Sequence, residues 1–278
     1  IGIALNLLPS AAAKANEEGE TIKWLIGGQA AASGVLAAEM ASRGVKGMRD
    51  VLKGWLPVIA DDVYPERLTE GVNEDGTFSQ WEICSGILTK HYATVGPLTA
   101  SLDAAFDLVI KNNIAADDIA EIHVSAMRRT AIFNTVHPEN EVAARASLPY
   151  CLAVAVCRKD PAMLLGPAFT EEVLKDKAVW AAADKVRITE NEDYERRYPA
   201  QSLAKVTITL KDGKSFAQEE DRSARRRYLT PTDEDIAHKF RLIATPVLGA
   251  ARTENVIGIV NRLETVKDIG ELVSALKP

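Results

Sequence analysis

The sequence predicts an α+β fold that is mainly α: a helical domain with an inserted α+β lid domain. Three observations point there. Small residues recur at three- and four-residue steps near the start of the chain, which is helical spacing. Alternating runs joined by an Asp-Gly turn occur only in the middle. Helical periodicity then returns after Thr232. The expected division is a first helical part over 1–88, an α+β insert over 89–224 and a helical return over 225–278.

IGIALNLLPSAAAKANEEG opens in mid-pattern, without a cap, and the true start of the chain is expected upstream of Ile1. In TIKWLIGGQAAASGVLAAEMASRG, residues Ala30, Ser33, Gly34, Ala37, Ala38 and Ala41 share one small face of a helix. Such a face lets two backbones approach closely, or leaves room for something small. Gly44 stands where that helix would end. MRDVLKGWL predicts a further helix, and GVNEDGTFS a loop. SLDAAFDLVIKNN reads as an amphipathic helix, IAEIHVSAM as a strand and ARASLPYCLAVAVCR as a buried helix. LAKVTITLKDGKSFAQEE is two alternating runs around Lys211-Asp212-Gly213, the pattern of a β-hairpin. TPTDEDIAHKFRLIA predicts a helix capped by Thr232, with Asp233, Glu234 and Asp235 favourably placed in its first turn. TENVIGIVNRLETVKDIGELVSALK completes the helical return.

Composition excludes several classes. A net charge of −6 with both signs interspersed argues against nucleic acid as a partner. Cys84, Cys151 and Cys157 form no C-x-x-C pair, so no disulfide framework is expected and a reducing cytoplasm is the expected compartment. His91, His123, His137 and His238 lack metal-ligand spacing, so no metal is expected. Charges interrupt every apolar stretch before membrane-spanning length, and no membrane role is expected.

Five side chains are candidates for chemistry. Lys23 precedes Gly27-Gly28 and a helix start, a place suited to a carboxylate. Among small apolar residues its amine would lose hydration and become a usable base; the alternative is a lysine snorkelling at a helix edge. Tyr150 lies in a run too apolar to leave a phenol unpartnered, so it is a proton donor, a carboxylate ligand or a core tyrosine with a satisfied hydroxyl. Arg145 offers a bidentate carboxylate contact or an ion pair. Lys90 and His91 form a polar cluster where the insert begins, with His91 an acid/base or an exposed hinge residue. His137 and His238 read as surface residues, and Arg225-Arg226-Arg227 as a solvated linker too short to argue for nucleic acid.

Four stretches, taken in order, resemble the MmgE/PrpD family. They are IKWLIGGQAAASGVLAAEMASRGVKGMRDVLKG, LTKHYATVGPLTASLDAAFDL, HPENEVAARASLPYCLAVAV, and VTITLKDGKSF followed by RRRYLTPTDEDIAHKFRLIA. The resemblance implies a helical domain closed by an α+β lid, no metal or organic cofactor, a small di- or tricarboxylate substrate and a homodimer. By position it makes Lys23 and Tyr150 the catalytic pair, with Arg145, Lys90 and His91 holding substrate.

The same resemblance shows departures. It leads one to expect histidines where this chain has Val95 and Thr99, and another where it has Ala146. It also places a long N-terminal helical block ahead of Ile1, so helices over 1–60 are expected to expose apolar faces. A second chain supplying that block is an alternative partner. The first expected reaction is dehydration of a 2-methylcitrate-like polycarboxylate. Decarboxylation ranks second because the histidine is missing, epimerisation stays open, and a non-catalytic or split subunit is the rival from another class.

Overall fold

The computed structural model describes residues 1–7, 20–79, 89–224 and 231–277. Cys84 and Arg225–Arg227 lie outside the described residues. The chain forms two compact units, Ile1–Ile87 and Leu88–Pro278.

The first unit is helical with a thin core. Helix α1 (Gly2–Leu5) lies directly against the loop before the third helix: a Cβ at Gly2 would stand 2.1 Å from the Met48 carbonyl, and one at Gly47 2.3 Å from the Ile3 nitrogen. Only glycine permits that approach. A 3₁₀ turn, Thr21–Leu25, leads into α2 (Ile26–Ser42), which Gly44 ends in a left-handed conformation with φ +89°. Helix α3 (Val51–Ile59) begins at Asp50, whose carboxylate accepts from the Lys53 N–H at 3.0 Å. The predicted small face of α2 exists, but it stays open. Ala37 is its one buried member, and Cβ atoms at Gly27, Gly28 and Gly34 would meet nothing within 4 Å. Ile22, Trp24, Leu25, Val35 and Leu36 are likewise exposed, which is the uncovered apolar surface the sequence led us to expect.

The second unit carries the principal core. Helix α4 (Thr99–Lys111) is buried along almost its whole length. Strand β1 (Ile119–Ala126) alternates buried and open positions, as its sequence predicts. Helix α5 (Leu148–Arg158) starts at Ser147, whose hydroxyl accepts from the Tyr150 N–H at 3.0 Å, with Pro149 in the first turn. After α6 (Lys177–Ala183) the chain enters β2 (Val186–Glu190), then β3 (Leu203–Leu210) and β4 (Ser215–Asp221). The sheet order is β2-β1-β3-β4. β1 and β2 are parallel, which requires the long helical crossover through α5 and α6, and the other pairs are antiparallel. The predicted hairpin is present: Thr209 pairs with Ser215, and Gly213 takes φ +87° in the turn. Leu102, Ile122, Leu152, Val206 and Ile208 fill the core between α4, α5 and the sheet. Its opposite side is polar, with His123 and Thr189 in contact at 3.1 Å.

Helix α7 (Asp233–Leu248) and helix α8 (Ala250–Val260) complete this unit. Thr232 accepts from the Asp235 N–H at 3.1 Å while Asp235 accepts from the Thr232 N–H at 2.8 Å, a reciprocal capping box. Thr232→Ala is therefore expected to lower stability by about 1 kcal/mol in urea denaturation. Arg241 ties α7 to α8 through Glu254 at 2.6 Å and also pairs with Glu234 at 2.8 Å. No helix of the described residues is long and apolar enough to cross a membrane.

Candidate functional site

The segment Thr89–Tyr92 forms one wall of a cleft of about 680 Å³ in the second unit. The sequence pins that segment from below. Tyr92 is buried, its hydroxyl donates to the Asp103 carboxylate at 2.7 Å, and its ring stacks on Phe106 with centroids 5.9 Å apart. The Ala93 N–H donates to the Leu164 carbonyl at 2.8 Å, and the Val95 N–H to the Arg145 carbonyl at 3.0 Å. Lys90 and His91 stand on this braced segment and line the cleft.

Helix α7 supplies the facing wall with Asp235, His238, Lys239 and Leu242. These positions are three and four residues apart, hence on one helical face. The Lys239 ammonium donates to the Lys90 carbonyl and joins the two walls. Burial lowers the Lys239 pKa below the ordinary lysine value. His238, read from the sequence as a surface residue, is exposed and yet lines the cleft.

Tyr150 and Arg145 stand elsewhere. Tyr150 is fully buried on α5, and its hydroxyl donates to the Ala168 carbonyl. Burial raises its pKa, so its proton is held tightly. It takes the place that the sequence allowed as a core tyrosine with a satisfied hydroxyl, and it does not line the cleft. Arg145 lies at the end of the short helix Glu141–Arg145, over the Phe169 ring at 4.3 Å. One of its Nη atoms donates to the Ala93 carbonyl at 3.0 Å, and Glu141 stands 3.8 Å away. Its role here is to brace the chain that carries Lys90 and His91. Lys23 belongs to the first unit, half-buried on the Thr21–Leu25 turn. The second unit thus brings Lys90 and His91 together in one cleft, with Arg145 behind them.

Val95, Thr99 and Ala146, where the resemblance led us to expect histidine, are all buried. His137 is more than loop surface: its ring stacks on Trp180 at 4.8 Å, and its Nε2 is 3.0 Å from Asp184. Among the described residues no group of three or more His, Cys, Asp or Glu side chains could hold a metal ion.

Sequence reasoning missed Lys239. The signal was present as D-x-x-H-K-x-x-L over residues 235–242, a polar stripe ending in an apolar residue on one helix face.

The fold and cleft define a mainly helical α+β chain with basic and imidazole side chains around a small-molecule-sized cavity. The family model of the MmgE/PrpD C-terminal domain matches residues 92–265, and the chain belongs to the MmgE/PrpD family. Among curated proteins it is similar to cis-aconitate decarboxylase of Aspergillus terreus, 23% identical over 93% of this chain and 55% of the relative. Cis-aconitate decarboxylase of Homo sapiens is 25% identical over 90% of this chain and 52% of the relative. The Mus musculus protein of that name is 26% identical over 90% of this chain and 51% of the relative. The chain therefore spans about half the length of the curated relatives it matches.

Proposed function

We propose that this chain binds a small di- or tricarboxylate and serves a lyase reaction at a carbon next to a carboxylate. The observation that carries the reading is the cleft at Lys90, His91 and Lys239, which lies in the segment the family model covers apart from its rim at 89–91. Two ammonium groups there suit carboxylates, and an imidazole is suited to move a proton near neutral pH. His91 and His238 are the imidazoles of the cleft. Lys23 is the proposed proton-transfer amine of the whole protein, and that assignment rests on the sequence resemblance. The division at 88 and 224, the lid and the homodimer belong to the same proposal.

Dehydration of a 2-methylcitrate-like substrate is the first reaction in this reading, because Val95, Thr99 and Ala146 leave out the histidines expected of a decarboxylase. Decarboxylation is the second, favoured by the printed names of the relatives. The test is proton NMR of the chain incubated with 2-methylcitrate, citrate and cis-aconitate, alongside thermal melts with each. Binding is expected to raise the melting temperature with concentration. Loss of water supports the first reading, and loss of CO₂ the second. No melting shift and no turnover with any of them would leave a non-catalytic subunit as the better description.

A further inference from the structure

An ammonium group offers three N–H donors. The hydrogen-bond partner of Lys239 among the described residues is the Lys90 carbonyl, and no carboxylate of those residues pairs with it. This is unexpected chemistry, because Asp103, Asp107, Asp160 and Asp235 all line the same cleft. Three of these four carboxylates are engaged. Asp103 accepts from the Tyr92 hydroxyl, Asp160 from the Ala162 N–H, and Asp235 from the Thr232 N–H and hydroxyl. The lowered pKa of Lys239 has the direction expected of a partly desolvated cation without a counter-ion.

We propose that Lys239 is a carboxylate-binding residue of the cleft, holding one carboxylate of a small polycarboxylate beside Lys90. The proposal deepens the functional reading above and rests on it. Its geometry comes from two constraints. Helix α7 fixes the stem of Lys239 beside His238, and the Lys90 carbonyl fixes the direction of the ammonium. Two N–H donors then remain for an anion. A cation already stripped of part of its water gains more from an anion than one at full hydration. The backbone bond places the ammonium next to the residue that carries the second amine, so one ligand with two carboxylates spaced by a short chain meets both.

The test uses the 278-residue chain and tricarballylate as probe. Calorimetric titration of the unaltered chain, Lys239→Gln and Lys239→Arg separates charge from structure. Glutamine keeps an N–H donor for the Lys90 carbonyl and removes the charge; arginine keeps the charge. Lys239→Gln is expected to weaken binding roughly 10- to 100-fold, the range of a charge-assisted hydrogen bond, while Lys239→Arg stays within about threefold. Affinity of Lys239→Gln within about twofold of the unaltered chain would overturn the role of Lys239 and leave the polycarboxylate reading standing. No binding by the unaltered chain of tricarballylate, or of any other di- or tricarboxylate, would overturn both. A second measurement needs no variant: acetylation by acetic anhydride, mapped by mass spectrometry. Tricarballylate is expected to protect Lys239, and an unchanged acetylation rate at saturating ligand overturns the proposal.

Discussion

Replacing Tyr150 with alanine is expected to unfold the second unit, and replacing it with phenylalanine to weaken the fold while sparing the cleft. The ring lies at zero exposure on α5 within the main core. Deleting it costs roughly 3–5 kcal/mol from cavity formation and lost transfer energy, against a total domain stability of about 5–15 kcal/mol. Phenylalanine keeps the ring and removes the hydroxyl that donates to the Ala168 carbonyl. An acceptor left without its donor in an apolar setting costs about 1–3 kcal/mol. Thermal melting of Tyr150→Phe should therefore fall by several degrees, while ligand binding, measured at a temperature where it is folded, stays unchanged. The opposite pattern, an unchanged melt with turnover abolished, would make the phenol a catalytic group and reject the structural role.

Lys23→Ala is expected to cut turnover at least 100-fold, within the range that a positioned acid or base contributes. Stability should change by less than about 0.5 kcal/mol, since the side chain is half-buried on a short 3₁₀ turn. Lys23→Arg then separates two roles. A guanidinium stays charged at any working pH, so it can hold a carboxylate but cannot act as a base. An active arginine variant assigns Lys23 to binding, and an inactive one assigns it to proton transfer. Near-native activity of Lys23→Ala, measured by NMR on whichever substrate the panel identifies, removes Lys23 from both.

Much of the second unit was legible in the sequence because its signals are local. The Lys211-Asp212-Gly213 turn, the Thr232 cap and the alternation of β1 each depend on a few neighbouring residues, and each is present. Strand β2 was not legible. VRITE is short and too polar to alternate clearly, and only its parallel pairing with β1 makes it a strand. The α4 segment reads as amphipathic, with two aspartates and a lysine, yet it is buried almost throughout; Asp103 is accommodated by the Tyr92 hydroxyl. The candidate site divides in the same way. Lys90 and His91 stand out as a cluster in sequence and remain one in space. Tyr150 has the same residue type and neighbours whether its hydroxyl meets a ligand or a backbone carbonyl, and only the position of Ala168 decides between them. Lys239 was hidden because its meaning comes from a carbonyl 149 residues away.

That separation also bears on synthesis. A ribosome adding residues in order releases one wall of the cleft long before it makes the other. Closing so long a loop is entropically slow, so the ligand has nothing to grip until nearly the whole polypeptide has emerged. A small acid that stabilises the finished protein would therefore act as a late proofreader of folding, rewarding completed molecules and leaving nascent ones to the cell's chaperones.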